Sequence, residues 1–326
     1  MGDQDLAPAG LTRGGTARRI EGDVAVDAAL LLVALMWAST FTAFKVAWRD
    51  VDPVAFTAIR FAVMVALSVL LVASSRGRTL PRREDAPALL ASGLTGFFLS
   101  QMGFVLGLDR TTALASAILI STHPIFAVVF SWLAGRDRPR AVEVAGVAIG
   151  FLGVAVFLRA WEAFQAARPG DLLSLGAAAA FGAYGVVTQP LSGRYSSREL
   201  LAYGLATGGT LVAALGIPAI AAQDWTAVSP VSWAILAYAI VGPVYLAYAL
   251  WNWAIHRRGV ARTVVYGFLV PVLAGALAVV VLGEAVRPEQ AVGAALVVTG
   301  LAVTRLGRGR APARAGEVGA TVGGGR

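Results

Sequence analysis

The chain has 326 residues, a formal net charge of +8 and no cysteine; 57% of it is hydrophobic and only 14% is charged. So large an apolar share cannot be hidden in one soluble core, so the bilayer must act as solvent. The missing thiols exclude a disulfide framework and a cysteine metal site, and basic residues confined to short loops between apolar runs argue against a nucleic-acid surface.

Residues 1–26 are polar, glycine-rich and carry both signs of charge. They lack the short basic start and directly following apolar core of a cleaved signal peptide, and they predict a disordered tail. Ten apolar runs follow, at about 27–48, 54–73, 87–107, 111–133, 140–158, 171–190, 199–220, 230–253, 260–282 and 289–305. Each is close to the roughly 20 residues a helix needs to cross about 30 Å of hydrocarbon. Helices are forced, because an isolated strand leaves backbone groups unpaired in lipid. Residues 159–170 link the fifth and sixth runs, and 306–326, rich in Gly, Ala and Arg, predict a second disordered tail.

The sequence repeats itself. Leu108 to Val156, shifted by 147 positions, lies without a gap over Ile255 to Val303. Arg110 then meets Arg257, Pro124 meets Pro271, Asp137 meets Glu284, Gly146 meets Gly293 and Gly153 meets Gly300. The first two runs of each half align with a shift of 144, which sets Asp27 over Asp171 and Trp37 over Phe181. Five spans per half is an odd number, so the halves, 27–158 and 171–305, enter the membrane in opposite directions. The expected fold is an all-α polytopic membrane protein of ten transmembrane helices in two inverted five-helix repeats, the ground plan of a transporter that rocks between mirror-related states. Twenty loop and tail arginines fall on the side of both termini and five on the other, which predicts cytoplasmic termini.

Five stretches carry a family resemblance: Trp37-Ala-Ser-Thr-Phe-Thr-Ala-Phe-Lys45, Ala58-Ile-Arg-Phe61, Ser121-Thr-His-Pro-Ile-Phe126, Gly170-Asp-Leu-Leu-Ser-Leu175 leading to Tyr184, and Leu269-Val-Pro-Val272 running to Leu282-Gly-Glu284. In their order they resemble the EamA family of the drug/metabolite transporter superfamily over about residues 27–305. The resemblance implies an inner-membrane carrier that exports amino acids or other small metabolites. Arg136-Asp137 stands where the family's first Gly-Glu is expected, and His123 where a glutamine is common before the proline.

Polar groups inside spans are costly and therefore candidates for function. Arg60, two turns into the second span, faces either a cavity or an internal acceptor. Lys45, near the end of the first, is either a second cation for an anionic substrate or a snorkelling anchor. Glu284 is a candidate ion partner for Lys45, or a cap on its own turn. His123 is placed to titrate near neutral pH, with protons as the coupling ion, or simply to bond a neighbouring helix. Pro124 and Pro271 each remove a helical hydrogen bond, at a flexing point or a static kink. Trp37, Phe41, Tyr184, Asn252 and Tyr266 are candidates for the pocket lining.

No Gly-rich phosphate loop precedes Lys45, which excludes an ATP-driven pump. No metal-ligand spacing or cofactor motif is visible. The reading is a secondary transporter for a small molecule, monomeric or homodimeric, in contact with membrane lipids. The alternatives are a membrane enzyme acting on a lipid-soluble substrate and a non-transporting membrane sensor.

Overall fold

In a computed structural model, residues 13–74, 79–135, 140–157, 168–258 and 265–308 are described. Ten helical segments run along them: α1 (Arg13–Ala47), α2 (Pro53–Ala73), α3 (Arg83–Arg110), α4 (Ala113–Leu133), α5 (Ala141–Phe157), α6 (Pro169–Leu191), α7 (197–222), α8 (230–258), α9 (265–282) and α10 (Pro288–Arg308). No strand occurs among the described residues. Six of the helices carry a window long and apolar enough to cross a membrane, and three shorter apolar helices, Ala141–Phe157, Leu269–Leu282 and Pro288–Val303, accompany them. The protein is an all-α polytopic membrane protein. Large apolar side chains on its outside, among them Leu32, Leu70 and Val280, face outward as lipid requires.

Each helix coincides with one apolar run, but α1 does not begin with its run. It extends back to Arg13, through polar sequence expected to be unstructured, while its membrane-length portion is Val24–Ala47.

The helix ends follow local chemistry. Asp52 accepts from the backbone N–H groups of Val54 and Ala55 ahead of Pro53, and Ser229 and Thr112 cap α8 and α4 in the same way. Ser196 and Glu199 form a reciprocal capping box at the start of α7. After α4 and α9 the backbone enters the left-handed region, at Gly135 (φ 66) and Gly283 (φ 67), where a side chain would be strained. Gly283 N–H bonds the carbonyl of Val279, the single bond of an αL cap, and Glu284 N–H reaches back to the carbonyl of Ala278, which turns the Glu284 side chain out of its own helix.

The helices pack with a two-fold pattern. α1 lies on α9 as α6 lies on α4, and α1 lies on α8 as α6 lies on α3; α2 meets α7, α4 meets α9 and α5 meets α10. Exchanging the halves therefore reproduces the same neighbours. The α5–α10 seam is close: a methyl on Gly153 would lie 2.6 Å from Val297 N, and one on Gly300 2.5 Å from Gly150 N. Only hydrogen at these positions permits that approach.

The repeat also extends to irregular backbone. α3 contains a π-helical turn at Leu94–Leu99 and α8 one at Val241–Leu246, 147 positions apart, the shift of the sequence duplication. Such turns leave carbonyls out of step with the helical ladder. Each packs against the first helix of the other half, α3 on α6 and α8 on α1. A third, at Leu205–Gly209 in α7, has no counterpart in the regular helix α2.

Candidate functional site

Between the halves lies a cavity of about 1270 Å³ lined by α1, α2, α3, α4, α6, α7 and α8. Its wall includes exposed Ser74, Ser192, Ser197 and Arg198, so it opens at the end where the α2–α3 and α6–α7 connections lie. We call this the arginine-rich end. Toward the opposite end the lining stops at Phe41, Phe104, Ile120 and Ala177.

Arg60 is the charged group deep in this cavity, and it is 5% exposed. Its Nη2 donates to Gln101 Oε1 at 2.8 Å, and its Nε is buried without a partner. The guanidinium carbon sits 5.0 Å from the ring centres of both Phe44 and Phe61. Ring faces return about 0.5–2 kcal/mol to a cation, less than the several kcal/mol that burying it costs. No carboxylate lines the cavity or pairs with Arg60 among the described residues.

Aromatic rings form much of the remaining wall. Trp37 donates from Nε1 to the carbonyl of Pro243, inside the π-helical turn of α8, at 2.9 Å, and its ring lies 5.1 Å from that of Trp251. Phe41 meets Phe104 edge-on. Tyr184 stacks on Phe181 at 5.5 Å and meets Phe97 edge-on, and Gly96 in the π-helical turn of α3 leaves room for it: a methyl there would lie 2.4 Å from the Tyr184 ring. His123 also lines the cavity, with Nδ1 3.1 Å from the carbonyl of Ile120 and its ring against Phe181.

The cavity is sealed at the far end by polar bonds that join the two halves. Glu284 accepts from the N–H groups of Ala113 (2.6 Å) and Leu114 (3.0 Å), so it caps the start of α4 rather than its own turn. Asp171 accepts from the Thr111 hydroxyl and from Arg168 N, while Lys45 Nζ donates to the carbonyl of Thr111 at 2.6 Å. Asp50 accepts from Ser229 N (2.8 Å) and the Ser232 hydroxyl (2.6 Å). Burial opposes ionisation of Asp50, but these hydrogen bonds outweigh it and hold the carboxyl below the usual carboxylate range. Gln223 completes the seal, accepting from Asp52 N and donating to the carbonyl of Asp50.

At the arginine-rich end a second cross-link leaves the mouth open beside it. Asp85 accepts from Arg194 and from the Tyr195 hydroxyl, and Glu199 accepts from Thr79 N.

Of the residues singled out in the sequence, Trp37, Phe41, Arg60, His123 and Tyr184 line the cavity together. Lys45 and Glu284 do not; they belong to the seal. Tyr266 is also elsewhere, donating to Asp27 and tying α9 to α1 near the arginine-rich end. The side chain of Asn252 lies outside the described residues. Pro124 stands in the first turn of a helix that restarts at His123, after α4 breaks at Ser121 and Thr122. Pro271 is buried in the first turn of α9 after its 3-10 entry at Val265–Phe268. Both prolines thus sit where a helix is re-entered, and there a missing N–H is tolerated.

Gln101, Phe97 and the seal residue Thr111 were not singled out from sequence, and Phe181 and the seal residue Asp171 were named there only through the repeat and the family resemblance. Gln101 had one visible signal: it is an amide alone in an apolar run.

The chain matches the EamA-like transporter family over residues 25–159 and 168–306. It belongs to that family. Among its relatives, a probable terminal-alkyne amino-acid exporter of Streptantibioticus cattleyicolor is 29% identical over 84% of this chain and 91% of that one. An uncharacterized transporter of Archaeoglobus fulgidus is 27% identical over 84% of this chain and 95% of its own. A solved protein crystal structure at 24% identity superposes with a TM-score of 0.57 and covers 87% of this chain and 98% of that one, so the fold is shared. This EamA-family chain is a multi-pass membrane transporter.

Proposed function

We propose that the protein is a secondary transporter that exports a small metabolite bearing a carboxylate, amino acids and their relatives among them, by alternating access. The observation that carries this reading is Arg60, a buried guanidinium with no counter-charge among the described residues, at the closed end of a cavity between two inverted repeats. An anionic substrate supplies the missing partner. The cavity is open at the arginine-rich end and sealed at the other; with the arginine-rich end in the cytoplasm, this is the state that loads substrate from inside. The relative described as a probable terminal-alkyne amino-acid exporter supports the substrate class.

The test is uptake of labelled carboxylate-bearing metabolites into proteoliposomes. Removing one partner of a desolvated charge pair costs about 2–5 kcal/mol, so Arg60→Ala should cut transport by about thirtyfold or more. Arg60→Lys keeps the charge but loses the fork, and should fall between. Wild-type transport by a well-folded Arg60→Ala protein rules out the anchor.

A further inference from the structure

We propose that the cavity reads its substrate from one end only: it selects a monocarboxylate on an aromatic or bulky apolar body, and the ammonium of an amino acid is not recognised by charge. This rests on Arg60 being the carboxylate anchor.

The polar pole of the cavity consists of donors. Gln101 must turn its amide oxygen to Arg60, since its NH₂ would oppose the guanidinium, so that NH₂ is left as a further donor beside it. It makes no hydrogen bond to the described residues. A carboxylate accepts only, and it is the group that satisfies such a cluster.

The opposite requirement, an anion for an ammonium, is unmet among the described residues. Arg198 at the mouth adds a second cation, which draws anions in and repels ammonium groups. The hydroxyls of Thr40, Ser100 and Thr188 are spent on carbonyls of their own helices and offer only neutral lone pairs. An ammonium carried into this space loses its water without gaining a counter-charge.

The rest of the wall fits rings and branched chains. The Trp37–Trp251 pair and the Phe181–Tyr184 stack present apolar surface to the same cavity that holds the guanidinium. Burying an apolar body there is favourable at about 25 cal/mol per Å².

Four probes with known parts separate these contributions. Binding to the full-length protein in nanodiscs is measured for 3-phenylpropionate (carboxylate and ring), phenylalanine (carboxylate, ammonium and ring), phenethylamine (ammonium and ring) and acetate (carboxylate alone). The expected result is that 3-phenylpropionate binds at least as tightly as phenylalanine. Phenethylamine and acetate should each be weaker than it by about tenfold or more.

Gln101→Glu is near-isosteric and supplies Arg60 with an internal partner. It should fold as the wild type does, by its melting profile, and weaken 3-phenylpropionate by about tenfold or more. Phenylalanine binding about tenfold tighter than 3-phenylpropionate overturns the one-ended reading and leaves the anchor standing. Phenethylamine binding as tightly as 3-phenylpropionate, or an unaffected Gln101→Glu protein, overturns the anchor itself. Failure of 3-phenylpropionate to bind at millimolar concentration overturns the proposed substrate class.

Discussion

Glu284 makes the seal at the closed end experimentally accessible. It comes from the second half, and its carboxylate holds two N–H groups at the start of α4 in the first half. Glu284→Ala deletes both bonds and the negative charge at that helix start. A hydrogen bond to a charged group contributes about 1.5–3 kcal/mol net. Thr112 still caps α4 through Ala115 N, and water can reach the freed N–H groups once the end opens. Two such bonds at the lower end would give about 3 kcal/mol; with Thr112 and water taking up part of the loss, about 2 kcal/mol remains, or roughly thirtyfold in the ratio of open to closed forms. The chain has no cysteine, so one engineered thiol reports alone. Ala177→Cys places it in the cavity lining, below the seal. A membrane-impermeant reagent applied from the Glu284 side should label it about thirtyfold faster in the Glu284→Ala background, because the rate follows the fraction open. Glu284→Gln keeps one acceptor and should fall between. Unchanged labelling in a folded Glu284→Ala protein would mean that these bonds do not hold the seal, and the coupling of the halves through it would have to be abandoned.

Two further outcomes follow from the packing and the loops. A methyl on Gly293 would lie 2.5 Å from Phe157 N, so Gly293→Val should lower the melting temperature in detergent, at a cost of about 1–3 kcal/mol or more, whereas Gly176→Ala, with open space around it, should not. Because the folded state depresses the Asp50 pKa, Asp50 stabilises the fold above the unfolded value, about 3.9, and that contribution is lost as pH falls through the lower folded value. Melting curves recorded down through that range should show a shallower acid-side loss for Asp50→Asn than for the wild type. Equal slopes would show that Asp50 bonding does not contribute.

What was legible in the sequence was whatever the bilayer dictates residue by residue. Each span needs a run of apolar side chains, and a duplicated gene leaves prolines, glycines and charges in register, so the helices and the inverted halves could be read directly. Arg60 stood out for the same reason, as a charge where lipid forbids one. Pairings across the fold were not legible, because no local rule joins Arg60 to Gln101 or Glu284 to Ala113. Glu284 looked like an ion partner for Lys45 or a cap for its own turn; the left-handed glycine before it aims it at another helix instead. The π-helical turns have no compositional signature, and only the folded backbone shows that the two in α3 and α8 are in register. The early start of α1 was missed because polarity was read as disorder, although polar residues also form helices beyond the hydrocarbon.

The glycine seam between α5 and α10 is symmetric in its contacts. Gly153 approaches Gly293 and Val297, while Gly300 approaches Gly146 and Gly150. Exchanging each residue for its counterpart in the other half turns the first set of contacts into the second. That is the signature of an isologous interface, in which one surface recognises a copy of itself. Two separate copies of a single five-helix polypeptide, inserted in opposite senses, would meet along such a surface. The seam thus joins the two halves of one polypeptide as a self-complementary surface joins the subunits of a homodimer.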